Sequence, residues 1–247
     1  MSTSKTTSDR LTPRAFRRMS RRELLALAPL APLAALAFSD TRSSIVRAGL
    51  ALSDGAGEWM FRPRQLAPTY PGADVTPFER FPLNRYVEFE PSPSDLAKWR
   101  LYVEGQVSRP GEYTLEQIKS LPKVVQNVRH ICIEGWNVIG TFGGARLADV
   151  LTLAGADPRA RFVEIGCLDD YYSSLDMASC LHPQTLACYE MYGQPLTAGH
   201  GAPLRLHLPI KLGYKSSKHV YSLRVTNVLR AERGFWEDQG YSWYGGI

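Results

Sequence analysis

The sequence is poor in cysteine and lacks several common cofactor and nucleotide motifs. Its 247 residues include four cysteines, 35, 13 and 8 positions apart, with neither a C-x-x-C pair nor a C-x-x-C-H sequence. This spacing argues against a zinc site and against covalently attached haem. G-x-G-x-x-G, P-loop and G-x-S-x-G sequences are also missing, which argues against a nicotinamide dehydrogenase in particular.

Four cysteines are too few for a scaffold built on disulfides, but their even number still allows two bridges. One candidate bond joins Cys180 to Cys188. A non-catalytic exported binding module containing such bridges is therefore an alternative to any enzyme.

Excess positive charge is confined to the N-terminus. The chain has 29 Lys and Arg against 24 Asp and Glu, and residues 1–37 hold seven of the former and two of the latter. The rest of the chain therefore carries 22 of each and has no net charge. A nucleic-acid partner is not expected, because its main electrostatic support belongs to the leader.

Residues 1–37 have the pattern of a twin-arginine signal peptide cleaved near Ala37. Arg21 and Arg22 precede an apolar run from Leu24 to Phe38, which is shorter than the roughly 20 residues of a membrane span. A general secretory signal and an uncleaved anchor are the alternatives. We expect the twin-arginine export machinery to deliver the protein to the periplasm already folded, which favours a cofactor inserted beforehand.

The mature chain is predicted to be one α+β domain with strand-rich mixed sheets and short helices. Residues 38–95 are expected to form an extended, proline-rich segment that wraps the core and is irregular from Ser53 onward, and residues 96–247 to form the core itself. Alternating or apolar runs predict five strands: Trp99–Val107, Val124–Ile133, Arg161–Leu168, Leu204–Leu208 and Val220–Val228. On the last strand, one face is expected to hold Tyr221, Leu223 and Val225. Two short helices are predicted, one capped by Thr114 and one over Leu147–Ala154.

Residues 129–137 carry the most informative pattern. If the strand continues through them, side chains alternate and one face holds His130, Cys132, Glu134 and Trp136. A thiol between an imidazole and a carboxylate suits a metal or cofactor. The alternative is that Cys132 is only a small buried residue, since free cysteine is among the most buried types.

Residues 200–219 combine basic, hydroxyl and glycine residues. Arg205 can grip two oxygens of one anion, and Ser216, Ser217 and exposed backbone N–H groups can complete the shell. Three lysines, Lys211, Lys215 and Lys218, lie in the same stretch. This composition favours a ligand that bears a phosphate, and a solvated basic loop is the alternative.

With these motifs in place, the sequence resembles the molybdopterin-dependent oxidoreductases of the sulfite oxidase fold over about residues 84–224. It is most similar to the catalytic subunits of periplasmic methionine-sulfoxide reductases. Five stretches match family motifs in order: Asn84–Phe89 (N-x-x-Y-E-F), Cys132–Trp136 (C-x-E-x-W), His182–Leu186 (H-P-x-T-L), Gly201–Arg205 (G-A-P-x-R) and Lys211–Lys218 (K-x-G-[FY]-K-x-x-K).

The resemblance implies one molybdenum–molybdopterin per chain, bound by residues 96–247 as the catalytic domain. Cys132 would be the metal ligand, with Glu134 and Trp136 as further catalytic residues that orient the site. The expected cofactor contacts are Asn84, Val87, Glu88, Cys132, Cys167, His200, Arg205, Ser216, Ser217 and Lys218.

The sequence departs from the reductase pattern at three of these positions. Val87, Cys167 and His200 stand where the reductases have tyrosine, threonine and asparagine. Histidine at position 200 is the sulfite oxidase pattern. However, Asn137 stands where sulfite oxidases have an arginine.

The implied reaction is transfer of an oxygen atom to or from a small substrate. We expect reduction of an S- or N-oxide such as methionine sulfoxide, with Asp169–Tyr172 as candidates for the substrate entrance. A solvated turn is the alternative for those four residues. Oxidation of sulfite is the alternative reaction, with Arg129 and Arg146 as candidates for a cationic pocket. We expect a separate haem-containing redox partner, either a membrane protein or a soluble cytochrome, and no haem or extra dimerisation domain within this chain.

Overall fold

A computed structural model describes residues 40–247, and the predicted signal peptide over residues 1–37 lies outside them. The first described element is helix α1, Asp40–Met60. The prediction of an extended segment over 38–95 is therefore wrong for this part, because no proline interrupts the chain until Pro63. Among residues 40–247, no helix combines the length and hydrophobicity that a membrane span requires.

The other α-helices of the described region are short, and three of the four begin with a side-chain cap. Thr114 accepts a hydrogen bond from the backbone of Gln117 in a complete capping box, as predicted. The helix over 147–154 is also confirmed, and the chain leaves it through Gly155 at φ +65°. These helices are α2 (Pro93–Lys98), α3 (Leu115–Lys119), α4 (Leu147–Leu153) and α5 (Met177–Cys180).

The strands of the described region form two sheets, one mixed and one antiparallel. In chain order they are β1 (Leu101–Gly105), β2 (Gly111–Tyr113), β3 (Lys123–Ile131), β4 (Asn137–Arg146), β5 (Phe162–Cys167), β6 (Tyr172–Asp176), β7 (Leu186–Met191), β8 (Gln194–Pro195), β9 (Arg205–His207) and β10 (Val220–Thr226). The first sheet has the order β2-β1-β10-β5-β6, with β1 and β10 parallel. The second has the order β3-β4-β7-β8, and β9 pairs with β7. The strand-rich α+β prediction is confirmed.

All five predicted strands are present, but one predicted face is wrong. In β10, Val220, Leu223 and Val225 are buried, whereas Tyr221 is exposed. The register of β10 against β5 shifts between Val220 and Ser222, and this irregularity moves Tyr221 to the other side of the sheet.

The second sheet has a buried face on each side. In β7, Ala187 and Tyr189 belong to the main core with residues of the first sheet and α4. Leu186 and Cys188 point the other way, into a smaller cluster with Phe81. The side of the sheet that faces the smaller cluster is therefore covered by the irregular segment that contains Phe81.

This irregular segment lies along the β3–β4 hairpin. The backbone N–H of Tyr70 donates to Asn127 at 3.0 Å, and that of Thr76 donates to Ile139 at 2.8 Å. Residues from Arg47 to Ile247 form one compact unit, so the chain has no domain boundary near residue 95.

Close packing of β4 against β7 requires glycine at residue 144. A Cβ there would lie 2.3 Å from the Ala187 carbonyl oxygen and 2.7 Å from the Cys188 Cα. Both are backbone atoms, so relieving the clash would require the two strands to move apart. Gly193, in the β7–β8 turn, has φ +74° but open space around it.

We expect Gly144→Ala to lower the free energy of unfolding by about 2 kcal/mol or more, because the two strands must separate. Gly193→Ala, the matched control, should cost only about 1 kcal/mol through its backbone conformation. Urea denaturation of both variants tests this. Equal losses would show that the β4–β7 contact is not tight.

Candidate functional site

A cavity of about 340 Å³ lies over the side of the second sheet that carries the smaller cluster. Four stretches of chain contribute to its wall: residues 81–89, the β3–β4 turn, residues 213–219 and residues 235–241. Of the twelve predicted site residues, nine line it: Asn84, Val87, Cys132, Glu134, Trp136, Arg205, Ser216, Ser217 and Lys218.

The Cys132 motif lies in a turn and not in the strand predicted for it. β3 ends at Ile131, and the backbone N–H of Cys132 donates to Trp136 at 2.9 Å. Gly135 closes the turn with φ +92°, a conformation that glycine adopts without strain. Strict alternation therefore stops at Ile131, and Ile133 lines the cavity together with its neighbours. The four predicted side chains reach one site because the chain turns there.

Asn84 links the Cys132 turn to the segment that covers it. Its amide Nδ2 lies 3.5 Å from the Cys132 Sγ and 3.2 Å from a Glu134 carboxylate oxygen. The indole N–H of Trp136 donates to the same oxygen at 3.0 Å. Glu134 thereby fixes two side chains next to the buried thiol.

Arg205 places a positive charge in the wall of the cavity, and no carboxylate of the described residues balances it. Its side chain, in β9, is 2% exposed. It donates to the carbonyl oxygen of His200 at 3.2 Å and to that of Ser216 at 3.4 Å. No carboxylate of the described residues pairs with it. Burial lowers the pKa of Arg205, so the charge is costly in the protein alone.

Lys218 adds a second cation to the same wall. Its Nζ donates to the carbonyl oxygens of Asn84 at 2.6 Å and Gly199 at 2.8 Å, and no described carboxylate pairs with it. Burial, with repulsion from Arg205 and Arg85, lowers the pKa of Lys218 to about 7. Ser217 lies beside it, 2% exposed, and its hydroxyl has no hydrogen-bond partner. Two cations and a buried donor make this wall a site for an anion.

Three predicted cofactor contacts do not lie on the wall. Glu88 points to solvent and pairs with Arg85 at 2.8 Å. Cys167, at the end of β5, is buried behind Ser217, and burial raises the pKa of its thiol well above the usual range. The ring of His200 packs between Phe78 and Phe81, at 5.1 and 5.4 Å. Burial lowers the pKa of His200 to about 4, so it is neutral.

The His182–Leu186 motif also lies outside the cavity. The His182 ring contacts the carbonyl oxygen of Gln65 at 3.0 Å, and the Gln184 side chain bonds both backbone groups of Ala67. This motif holds the irregular segment against the second sheet.

The structure adds wall residues that the sequence reasoning did not assign to the site, among them several aromatic ones. Tyr86 lies within the Asn84–Phe89 motif, and its hydroxyl donates to the carbonyl oxygen of Asp169. Of the four candidates for the substrate entrance, Asp169 and Tyr171 line the cavity, whereas Asp170 and Tyr172 do not. The C-terminal aromatic residues on the wall are Phe235, Trp236 and Tyr241. The only sequence signal for these was a high local density of aromatic residues near the end of the chain.

The disulfide alternative is wrong. All four cysteines of the sequence lie in the described part of the chain, and each is a buried free thiol. Cys180 and Cys188 face different cores, which explains why they do not pair.

The pKa of Lys218 predicts how stability depends on pH when no anion is bound. Between pH 7 and about 10 the unfolded chain keeps a proton on this amine that the folded chain has lost, so the free energy of unfolding should rise with pH. We expect a gain of at least about 1 kcal/mol between pH 7 and pH 9.5, measured by urea denaturation of cofactor-free protein.

Lys218→Met is the matched variant, because it keeps the length of the side chain and removes the titrating group. Between pH 7 and pH 9.5, the free energy of unfolding should rise less in this variant than in the wild type, because the variant lacks the amine that titrates. An equal rise in the variant and the wild type would show that Lys218 is not the group responsible.

Comparisons with known proteins agree with the geometry. Residues 89–236 match the family described as oxidoreductase molybdopterin binding domain. The chain is 47% identical to the putative protein-methionine-sulfoxide reductase subunit YedZ1 of Azospira oryzae, over 76% of this chain and 71% of that protein. It is 30% identical to the protein-methionine-sulfoxide reductase catalytic subunit MsrP of Xanthomonas campestris, over 70% of this chain and 59% of that one. It therefore spans less than two thirds of the length of the MsrP relative.

Among solved structures, the sulfane dehydrogenase SoxCD from Paracoccus pantotrophus matches with a TM-score of 0.49 and 20% identity. The match covers 53% of this chain and 38% of that one. This likeness is too slight to support any functional argument.

The cavity fits the cofactor that the family implies. The Cys132 thiol lies on its wall and can ligate a metal, and the partnerless Ser217 hydroxyl can donate to a phosphate. Arg205 and Lys218 supply the charge that a phosphate balances. On these grounds, and on the family match over residues 89–236, the chain belongs to the molybdopterin-binding oxidoreductase family and is a molybdopterin-dependent oxidoreductase.

Proposed function

We propose that this protein is an exported molybdenum enzyme that reduces sulfoxides, including methionine sulfoxide, with one cofactor per chain. One observation carries the proposal: a buried thiol and an uncompensated anion site share a cavity. The named activity of the reductase relatives supports the substrate. When bound, molybdenum–molybdopterin supplies two-electron oxygen-atom transfer.

The residues of the chain divide into two tasks. Cys132 would bind the metal, and the Asn84 amide at 3.5 Å from its sulfur would stabilise the thiolate by donating a hydrogen bond. Arg205, Ser217 and Lys218 would bind the phosphate of the pterin. Because Lys218 also donates to the carbonyl oxygen of Asn84, the two tasks are mechanically connected.

Reduction of a sulfoxide to a thioether consumes two electrons and two protons and releases water. We propose that the electrons come from a separate haem-containing partner, either a membrane protein or a soluble cytochrome, and the protons from solvent. One relative is named as a subunit of a reductase, which supports a division of the reaction between two proteins. We further propose periplasmic location through the twin-arginine signal over residues 1–37.

The structure disfavours sulfite as the substrate. Arg129 donates to Tyr70 at 3.1 Å and to Asn137 at 2.5 Å, and it lies outside the cavity. Arg146 is exposed before α4 and is also outside. With a phosphate balancing Arg205 and Lys218, the remaining cation on the wall is Arg85, which pairs with Glu88 at 2.8 Å. The wall also holds the acidic side chains of Glu134 and Asp169, so it keeps no unpaired cation to attract an anionic substrate.

Cys132→Ala should abolish reduction of methionine sulfoxide, lowering kcat by at least about 100-fold, since even residues that only orient a ligand contribute 10–100-fold. The fold and the pterin should be retained, because the phosphate site is unchanged. Turnover with a reduced dye, metal analysis and electron paramagnetic resonance of the Mo(V) state measure these effects.

Cys180→Ala is the matched control, since this thiol is buried in the main core away from the cavity. It should keep the metal, the spectrum and the activity. Normal turnover by Cys132→Ala would overturn the ligand assignment. A wild-type enzyme that oxidises sulfite but reduces neither sulfoxides nor N-oxides would overturn the proposed substrate.

A further inference from the structure

We infer that the aromatic residues of segment 235–241, together with Tyr86 and Tyr171, form a specificity-determining wall that selects neutral sulfoxides with an aromatic or large apolar substituent. Glu237 positions this wall through Lys215. The inference deepens the proposed function and rests on it. Three observations support it: a cluster of aromatic side chains on the cavity wall, a buried ion pair that holds this cluster in place, and the absence of charge on the aromatic side chains.

The aromatic cluster is continuous from the segment over the sheet to the C-terminal segment. The rings of Tyr86 and Phe235 are 4.5 Å apart between centroids, and those of Tyr86 and Tyr171 are 5.5 Å apart. Trp236 continues the cluster, 5.2 Å from Phe235 and 5.4 Å from Tyr241. All five side chains line the cavity, and Tyr241 is 37% exposed. We call these five residues the aromatic wall.

A buried ion pair joins the aromatic wall to residues 213–219, the loop that carries Ser217 and Lys218. Lys215 is 0% exposed and Glu237 is 2% exposed at their side chains, and their charged groups are in direct contact. Lys215 also donates to the carbonyl oxygen of Ser174 at 3.1 Å. The backbone N–H of Phe235 donates to Tyr172 at 2.9 Å, so the start of the segment is tied to β6. The wall is thus built into the fold.

The chemistry of the aromatic wall suits a neutral, polarisable substrate. None of its five side chains carries a formal charge, and sulfur makes favourable contacts with aromatic rings. An aryl substituent can pack against Trp236 and Tyr241, a contact that a methyl group cannot match in area. A small sulfoxide therefore gains little from this wall, whereas an aryl sulfoxide gains much.

The test compares methyl phenyl sulfoxide with dimethyl sulfoxide on the holoenzyme. We expect wild type to favour the aryl compound, and Tyr241→Ala to lower the kcat/KM ratio of aryl to dimethyl substrate by about fivefold to tenfold. Trp236→Leu should act in the same direction. Tyr221→Ala is the control, because Tyr221 is a similarly exposed aromatic outside the cavity, and it should leave the ratio unchanged.

Calorimetric titration of both compounds separates this inference from the proposed function. Wild type should bind the aryl compound, and Tyr241→Ala should bind it about fivefold to tenfold more weakly, whether or not either compound is reduced. Binding of the aryl compound without its reduction would contradict the proposed function but would still support the role of the aromatic wall. Failure of wild type to bind the aryl compound, or equal binding by Tyr241→Ala, would overturn the inference.

The positioning role of Glu237 is tested with substitutions of the ion pair itself. Glu237→Gln keeps the shape but leaves the Lys215 charge unpaired, so the wall should shift and the aryl preference should fall. The double variant Lys215→Met, Glu237→Leu should restore the preference, since an apolar pair can replace a buried ion pair. Glu232→Gln, which removes an exposed carboxylate just before the segment, is the control and should not change the preference. An unchanged preference in Glu237→Gln, or no rescue in the double variant, would overturn this role.

Discussion

The cavity depends on two cations that no carboxylate of the described residues neutralises, the buried Arg205 and the half-buried Lys218. Arg205 and Lys218 donate only to carbonyl oxygens and to one sulfur. A positive charge held in a poorly hydrated site costs several kcal/mol unless an anion compensates it. The folded chain therefore has a standing affinity for a phosphate at this position. The same charge that makes the cofactor-free protein less stable makes the loaded protein more stable, so binding and folding are linked.

The basic residues of one loop differ in function because their partners differ. Lys211 lies 3.4 Å from the Asp176 carboxylate, and Lys215 contacts Glu237, so both charges are balanced inside the fold. Lys218, three residues later, has no such partner. Lys211 thus joins the loop to β6, Lys215 joins it to the C-terminal segment, and the third lysine is left for a ligand. From the sequence alone, all three lysines look like parts of a single phosphate site.

The chemistry of the site could be predicted from residue types, whereas its geometry depends on tertiary contacts. Cys132, Arg205 and the serines of the loop are recognisable because few other residues can bind a soft metal or a phosphate. No local rule shows that Glu88 faces solvent while Val87, its neighbour, faces the cavity. The irregularity in β10 depends on its pairing with the distant strand β5, and the turn at Gly135 depends on where the β3–β4 hairpin ends. Both redirect side chains that strict alternation misplaces.

The cavity joins residues inside the matched family region to residues beyond it. The metal and phosphate residues lie within the matched family region, which ends at residue 236, whereas Glu237 and Tyr241 lie just beyond it. Substitutions that alter the reaction centre affect every substrate. Substitutions of Tyr241 change what packs against the open side of the cavity, provided that the Lys215–Glu237 contact persists. An ion pair buried within the fold therefore allows the wall to vary in shape without moving the loop that binds the phosphate.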